Sequence, residues 1–213
     1  WYLERNPDVA LAEINPLLHY LNTGWREGRD PHPLFATAWY LERNPDVARA
    51  EINPLLHYLD TGWREGRDPH PLFAMSWYLE KNPEVAGAGI NPLVHYIIQG
   101  GIAGFSPHPL FDSNWYRDNN PDILDINPLI HFVTTGGIEG RDPHPNFDSS
   151  YYLKHYPEVG DKGINPLVDY LARCAREGRA AVYLTLDPAT CVFSTTPPPS
   201  PQCQDLIPHW CGD

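Results

Sequence analysis

The sequence predicts an all-α fold: a solenoid-like array of about five ~38-residue units of short helices, ending in an irregular, disulfide-containing C-terminal cap. Three observations predict it. Trp1, Trp39, Trp77 and Trp115 stand 38 residues apart, and Tyr151 follows after 36. Asn-Pro pairs recur twice in each of the first four units. The 213 residues also include 24 prolines, about twice the ordinary share of roughly 5%. So many prolines cut the chain into short segments and leave no room for long helices or long central strands. Self-similarity at this period marks an array, in which each unit buries its apolar face against its neighbours.

The second unit serves as the type. Trp39 to Arg43 reads as a first helix, which stops at Asn44 because a residue before proline avoids the α region. In later units Asp112 and Asp148 precede this helix as N-caps. Asn44 is expected to cap a second, very short helix, Pro45 to Ala48, with proline first and Asp46 in the opening turn. Asn53-Pro54 repeats the device and opens the main helix over residues 54–61. Gly62 is expected to end it at the position that tolerates positive φ, and Gly100-Gly101 and Gly136-Gly137 are expected there for the same reason. Trp63 to Arg67 form a turn, and Asp68-Pro69-His70-Pro71 an extended corner into Leu72 and Phe73 of the next unit. The expected core of a unit is Trp39, Tyr40, Leu41, Val47, Ile52, Leu55, Tyr58, Leu59, Leu72 and Phe73. That set suffices for stacked units and is too small for a free-standing one.

Units one and two differ only at positions 11, 22, 37 and 38, which points to a recent duplication. The fourth unit is two residues shorter between Pro121 and Asn127. The fifth decays: Tyr156-Pro157 replaces Asn-Pro, Asp169 replaces the histidine, and Cys174 replaces the glycine. Terminal units of arrays diverge because one face meets water. The repeat domain therefore spans 1–179, and a Pro/Cys-rich cap or tail spans 180–213. Residues 181–186 have strand composition and 197–201 are polyproline-like. The chain opens at Trp1, in mid-unit, so residues preceding it are expected to be missing.

All four cysteines, Cys174, Cys191, Cys203 and Cys211, lie in the last 40 residues. An even number in a Pro-rich tail reads as two disulfides with three possible connectivities, hence an oxidising compartment. Zinc and free thiols are the competing readings, and the intervals of 17, 12 and 8 fit no common zinc motif.

Two histidine series recur: His19, His57, His95 and His131 in the main helix, and His32, His70, His108 and His144 in the Pro-His-Pro corner. They read either as a metal ladder or as residues satisfying neighbouring backbone groups. Within a unit the two series are 13 residues apart, with no His-x-His spacing, and metal needs converging ligands. Glu27, Glu65 and Glu139, with Asp30, Asp68 and Asp142, flank arginines in unit after unit. Ion-paired turns account for that, whereas catalysis needs one asymmetric site. No nucleophile elbow, phosphate loop or His-Glu-x-x-His helix occurs. Of the aromatics, Trp1, Trp39, Trp77 and Trp115 read as core or as a sugar-stacking stripe, and Trp25 and Trp63 as exposed.

With 27 acidic and 15 basic residues, a formal charge of -12, the chain is poorly suited to nucleic acid or to anionic membrane surfaces. No apolar run approaches the roughly 18 residues that span a bilayer.

Asn-Pro-Asp-Val, Asn-Pro-Leu-x-His-Tyr and Gly-x-x-Glu-Gly-Arg, followed by Pro-x-x-x-Phe-Asp, resemble a repeat of bacterial surface proteins. That repeat accompanies secreted haemolysin-type calcium-binding proteins, glycosyltransferases and rhamnan-synthesis proteins. The resemblance covers residues 1–179 and carries no catalytic residues to transfer. The cysteine tail departs from it. Together these readings predict no enzyme, no cofactor and no metal site. They predict an extracytoplasmic structural or interaction scaffold that binds protein subunits of a larger assembly or itself. The alternative is a carbohydrate-binding module serving a surface-polysaccharide glycosyltransferase. The candidate binding surface comprises Trp1, Trp25, Trp63, His32, His70, His108 and His144.

Overall fold

The computed structural model describes residues 1–123 and 125–176. Among them the chain is helical, with fourteen short α-helices and no strand. The expected strand at 181–186, the polyproline stretch at 197–201, and Cys191, Cys203 and Cys211 lie outside the described residues.

The first helix of each unit is α1 (Tyr2–Arg5), α4 (Thr37–Arg43), α7 (Met75–Lys81), α10 (Ser113–Asn119) or α12 (Ser149–His155). The second is α2 (Pro7–Leu11), α5 (Pro45–Arg49), α8 (Pro83–Ala88) or α13 (Pro157–Asp161); the shortened fourth unit has a 3₁₀ turn, Pro121–Ile123, instead. The main helix is α3 (Pro16–His19), α6 (Pro54–His57), α9 (Pro92–His95) or α11 (Pro128–His131), each running on into a π-helical turn. The fifth unit has one continuous helix there, α14 (Pro166–Arg176).

The caps follow the sequence in part. Asn15, Asn53 and Asn91 each accept two backbone N–H groups at the start of the main helix, and Asp112 and Asp148 cap α10 and α12. Asn44 does not cap α5. Its amide instead donates to the Tyr40 carbonyl at 2.7 Å, closing the end of α4, and its Oδ1 accepts from Arg67 at 3.0 Å. Both ends of the Asn44 side chain are thus engaged by the helix behind it and by Arg67.

The glycine expectation is also corrected. Gly24, Gly62, Gly100 and Gly136 close the π turns without positive φ. Positive φ falls four residues later, at Gly66 (φ 73°), where Arg67 N–H meets the Gly62 carbonyl at 3.0 Å and Gly66 N–H meets that of Trp63 at 3.2 Å. That pair of bonds is a Schellman stop. The helical path therefore outruns the expected end by about a turn.

The core of units two to five is an aromatic trio. Phe73 lies 5.2 Å from Tyr78 and 5.6 Å from Tyr96, and Tyr78 meets Tyr96 edge-on at 5.9 Å. Units two, four and five repeat the trio with Phe35, Phe111 and Phe147. Such pairs add about 0.5–1.5 kcal/mol beyond burial. Val47, Tyr58, Leu72 and Phe73 are buried as expected, whereas Trp39, Leu41 and Leu55 are only half-buried. Ile52 (44% exposed) and Leu59 stand outside the core.

Consecutive units are joined by recurring bonds. Ala36, Ala74 and Asp112 N–H groups donate to the Pro69, Pro107 and Pro143 carbonyls, each at 3.0 Å. Tyr20 and Tyr96 hydroxyls meet Thr37 and Ser113 at the next unit's first helix, at 3.0 and 3.2 Å. The capping asparagine reaches backward: Asn127 Nδ2 donates to the Tyr96 carbonyl at 3.2 Å and Asn165 Nδ2 to that of Phe132 at 2.9 Å. Both carbonyls open π turns and also accept the Gly101 and Gly137 N–H groups. An Asp cap lacks that donor.

Candidate functional site

The corner histidines are built into the chain. His70 Nδ1 accepts the Leu72 N–H at 3.0 Å, and His32, His108 and His144 do the same for Leu34, Leu110 and Asn146 at 3.1 Å. The proton of the neutral ring therefore sits on Nε2. Burial holds His32 and His108 neutral, with pKa values down to about 4. It lowers His70 to about 3, helped by the neighbouring His108 and His32. His144 is lowered by burial as well. No cluster of three or more His, Cys, Asp or Glu suited to a metal ion occurs among the described residues.

The helix histidines anchor the first helix to the main one. The Tyr40 hydroxyl lies 3.0 Å from His57 Nδ1, and Tyr2, Tyr78 and Tyr116 make the same contact with His19, His95 and His131 at 2.9, 2.7 and 2.8 Å. Burial raises the pKa of each of these tyrosines. In the fifth unit the Tyr152 hydroxyl donates to Asp169 at 2.8 Å. A Cβ on Gly24, Gly62, Gly100 or Gly136 would collide with this hydroxyl. Close approach, not dihedral freedom, requires glycine there.

The recurring acids divide by role. Arg67 pairs with Glu65 at 2.6 Å and makes two bonds to Asp46, at 2.7 and 2.8 Å; Arg29 and Arg141 repeat the cluster with Asp8, Glu27, Asp122 and Glu139. The bond from Arg29 holds the Asp8 carboxyl down at about 2, and Arg67 and Arg141 lower Asp46 and Asp122 likewise. Asp30, Asp68 and Asp142 are not ion-paired. Each accepts the first N–H of the next unit's leading helix, at 2.7, 2.7 and 2.8 Å. Burial raises their pKa values.

The expected exposure of Trp25 and Trp63 is overturned. Trp25 is 6% exposed and joins the first unit's core beside Leu41 and Leu55; Trp63 is half-buried against the main core. Guanidinium groups cover both rings, Arg26 at 4.3 Å and Arg64 at 4.4 Å. These tryptophans act at the unit junctions. In the later units Gly101 and Gly137 replace them, and a Cβ there would collide with the Asn127 or Asn165 amide. With Trp25 in place, Asn53 reaches the Leu21 carbonyl only at 3.5 Å; with Trp63, the Asn91 amide has no partner. Trp1 is exposed, and Trp39, Trp77 and Trp115 are half-buried. Cys174 is buried, while its expected partners lie outside the described residues.

One surface was not anticipated. Ile14, Ile52, Ile90, Ile126 and Ile164 occupy the same place in five successive units, just before the capping asparagine, and all are exposed. Ile52 lines a shallow depression with Leu56 and Leu59, edged by Asp60 and Thr61. The recurrence was visible in the sequence, but an apolar residue at a fixed place in a repeat is ordinarily core. No helix of the described residues is long and apolar enough to cross a membrane. No family model, curated protein or solved structure matches the chain.

Proposed function

We propose that the chain is an interaction scaffold: an α-solenoid that holds protein subunits of an extracytoplasmic assembly against its faces and ends. The observation that carries this reading is the five-fold row of exposed isoleucines, set against polar positions already bonded inside the array. An exposed apolar side chain repeated at one place in every unit, rather than scattered singly, fits an interaction surface. A catalytic reading draws no support from groups repeated identically in each unit. The glycan reading needs open tryptophan faces, and those of Trp25 and Trp63 are covered by arginine.

The test is capture of proteins from an envelope extract by the immobilised chain and by the Ile52→Asp/Ile90→Asp/Ile126→Asp variant. Subunits retained by the first and lost by the second support the scaffold; equal capture sinks it. Compartment is tested by alkylation: Cys174, Cys191, Cys203 and Cys211 should label only after reduction. Full labelling without a reductant argues for a reducing compartment.

A further inference from the structure

The third unit, in the middle of the array, departs from its neighbours in charge. Between Glu84 and Asp112 the chain carries no Asp, Glu, Lys or Arg. Ile98 stands where the second unit has Asp60, Ile102 where it has Arg64, Ala103 where it has Glu65, and Phe105 where it has Arg67. One of these changes is absorbed inside the fold. Phe105, at the chain position of the Arg67 ion cluster, is half-buried and stacks on the His95 ring at 5.5 Å. Ile98 and Ile102 are not absorbed: they are 73% and 45% exposed. Ile52 and Asp60 line one depression in the second unit, so their counterparts Ile90 and Ile98 share that place in the third, where Ile90 is exposed as well. The architecture requires no isoleucine at places where a sister unit carries a charge.

From this charge-free, outward-facing stretch we infer that two copies of the chain associate about a two-fold axis, third unit against third unit. The inference shares the scaffold reading's premise that grouped exposed apolar side chains mark contacts, and it names a partner. Two observations select a second copy. Each chain has a formal charge of -12, so two copies meet with least like-charge opposition where neither carries a charge. The rim of the patch also holds both signs on both sides. Upstream are Asp60 and Arg64, and Arg64 lines a groove with Ile90. Downstream are Arg117, which donates to the Ile102 carbonyl, and Asp125. Asp125 holds the place of Gly163, whose side-chain position lies 4.0 Å from Ile138, the counterpart of Ile102. None of these four charges is ion-paired among the described residues. A two-fold perpendicular to the array brings the upstream side of one copy to the downstream side of the other, so Arg64 meets Asp125 and Arg117 meets Asp60. A rim of one sign could not pair with itself in this way. Such a contact is isologous and closes at the dimer.

Sedimentation velocity on the full chain over a wide range of concentration tests this directly. The mass should rise from one chain to two and stop there. Ile98→Asp/Ile102→Arg restores the residues that the second unit carries at these places. It should keep the circular dichroism and Tm of the wild type and give a monomer throughout. Arg64→Asp should weaken the dimer severalfold, and adding Asp125→Arg should restore it. Ile52→Glu, on the isoleucine row but outside the third unit, should leave the dimer unchanged. A wild-type chain that stays monomeric, a mass that climbs past the dimer, or a dimer that survives Ile98→Asp/Ile102→Arg overturns the inference. A dimer that Asp125→Arg fails to restore overturns the two-fold arrangement. Loss of the dimer in Ile52→Glu places the contact elsewhere and overturns it too. A chain that is monomeric yet still retains envelope subunits through the isoleucine row loses this inference and keeps the scaffold reading.

Discussion

Mild acid should unfold this protein, and the corner histidines set the pH window. In the folded chain His32 and His108 titrate near 4 and His70 near 3, because burial disfavours the charged ring and Nδ1 already accepts a backbone N–H. In the unfolded chain they titrate at about 6.5. A depressed folded pKa means stability that is fully present above about 6.5 and is lost as pH falls toward the folded values. At pH 5 each ring lies about 1.5 units below its unfolded pKa, a loss of about 2 kcal/mol for fully buried His70. His32 and His108 are partly exposed and lose somewhat less, so the three together cost about 4–6 kcal/mol. That rivals the roughly 5–15 kcal/mol of a typical domain. Asp30 and Asp68 act the other way, since burial raises their pKa values. Urea unfolding followed by tryptophan fluorescence at pH 7.5, 6 and 5 measures the effect. The slope of stability between pH 6 and 5 should approach three protons, about 4 kcal/mol per pH unit, and His70→Gln should remove about a third of it. A flat profile from pH 7 to 5 would refute the assignment of these rings as buried and neutral.

Four further outcomes follow from the contacts. Gly62→Ala should cost about 1–3 kcal/mol through overpacking against the Tyr40 hydroxyl, and much less in a Tyr40→Phe background; thermal melts of the four-member cycle read the coupling. Gly66→Ala should cost about 1–2 kcal/mol by imposing a left-handed conformation on a residue with a Cβ, with no such rescue. Asn127→Asp should lower stability by about 1–3 kcal/mol by setting a carboxylate against the Tyr96 carbonyl, while the same change at exposed Asn15 leaves denaturant midpoints unchanged. Molar salt should weaken the clusters around Arg29, Arg67 and Arg141, raising the exposed Asp8 and Asp46 carboxyl pKa values toward the ordinary range in NMR titrations.

How much of this was legible beforehand depends on whether a residue acts within its unit or between units. The period, the helical class, the corners and the caps at Asn53, Asp112 and Asp148 are local consequences of proline, asparagine and aspartate chemistry, and sequence determined them. The buried Tyr, Val, Leu and Phe positions followed from the same repeat. Glycine at position 62 suggests positive φ, but it is the Tyr40 hydroxyl, brought against it only in the folded chain, that requires glycine there. Asn44 and Asn53 are identical in sequence context, each before proline, yet one closes the helix behind it and the other caps the helix ahead. Trp25 and Ile52 depart from the sequence expectation in opposite directions, because hydrophobicity states that a residue favours burial and not which neighbour will cover it. That decision belongs to the packing of one unit against the next, and only tertiary structure shows that Trp25 is buried beside Leu41 and Leu55 while Ile52 and its counterparts stay exposed.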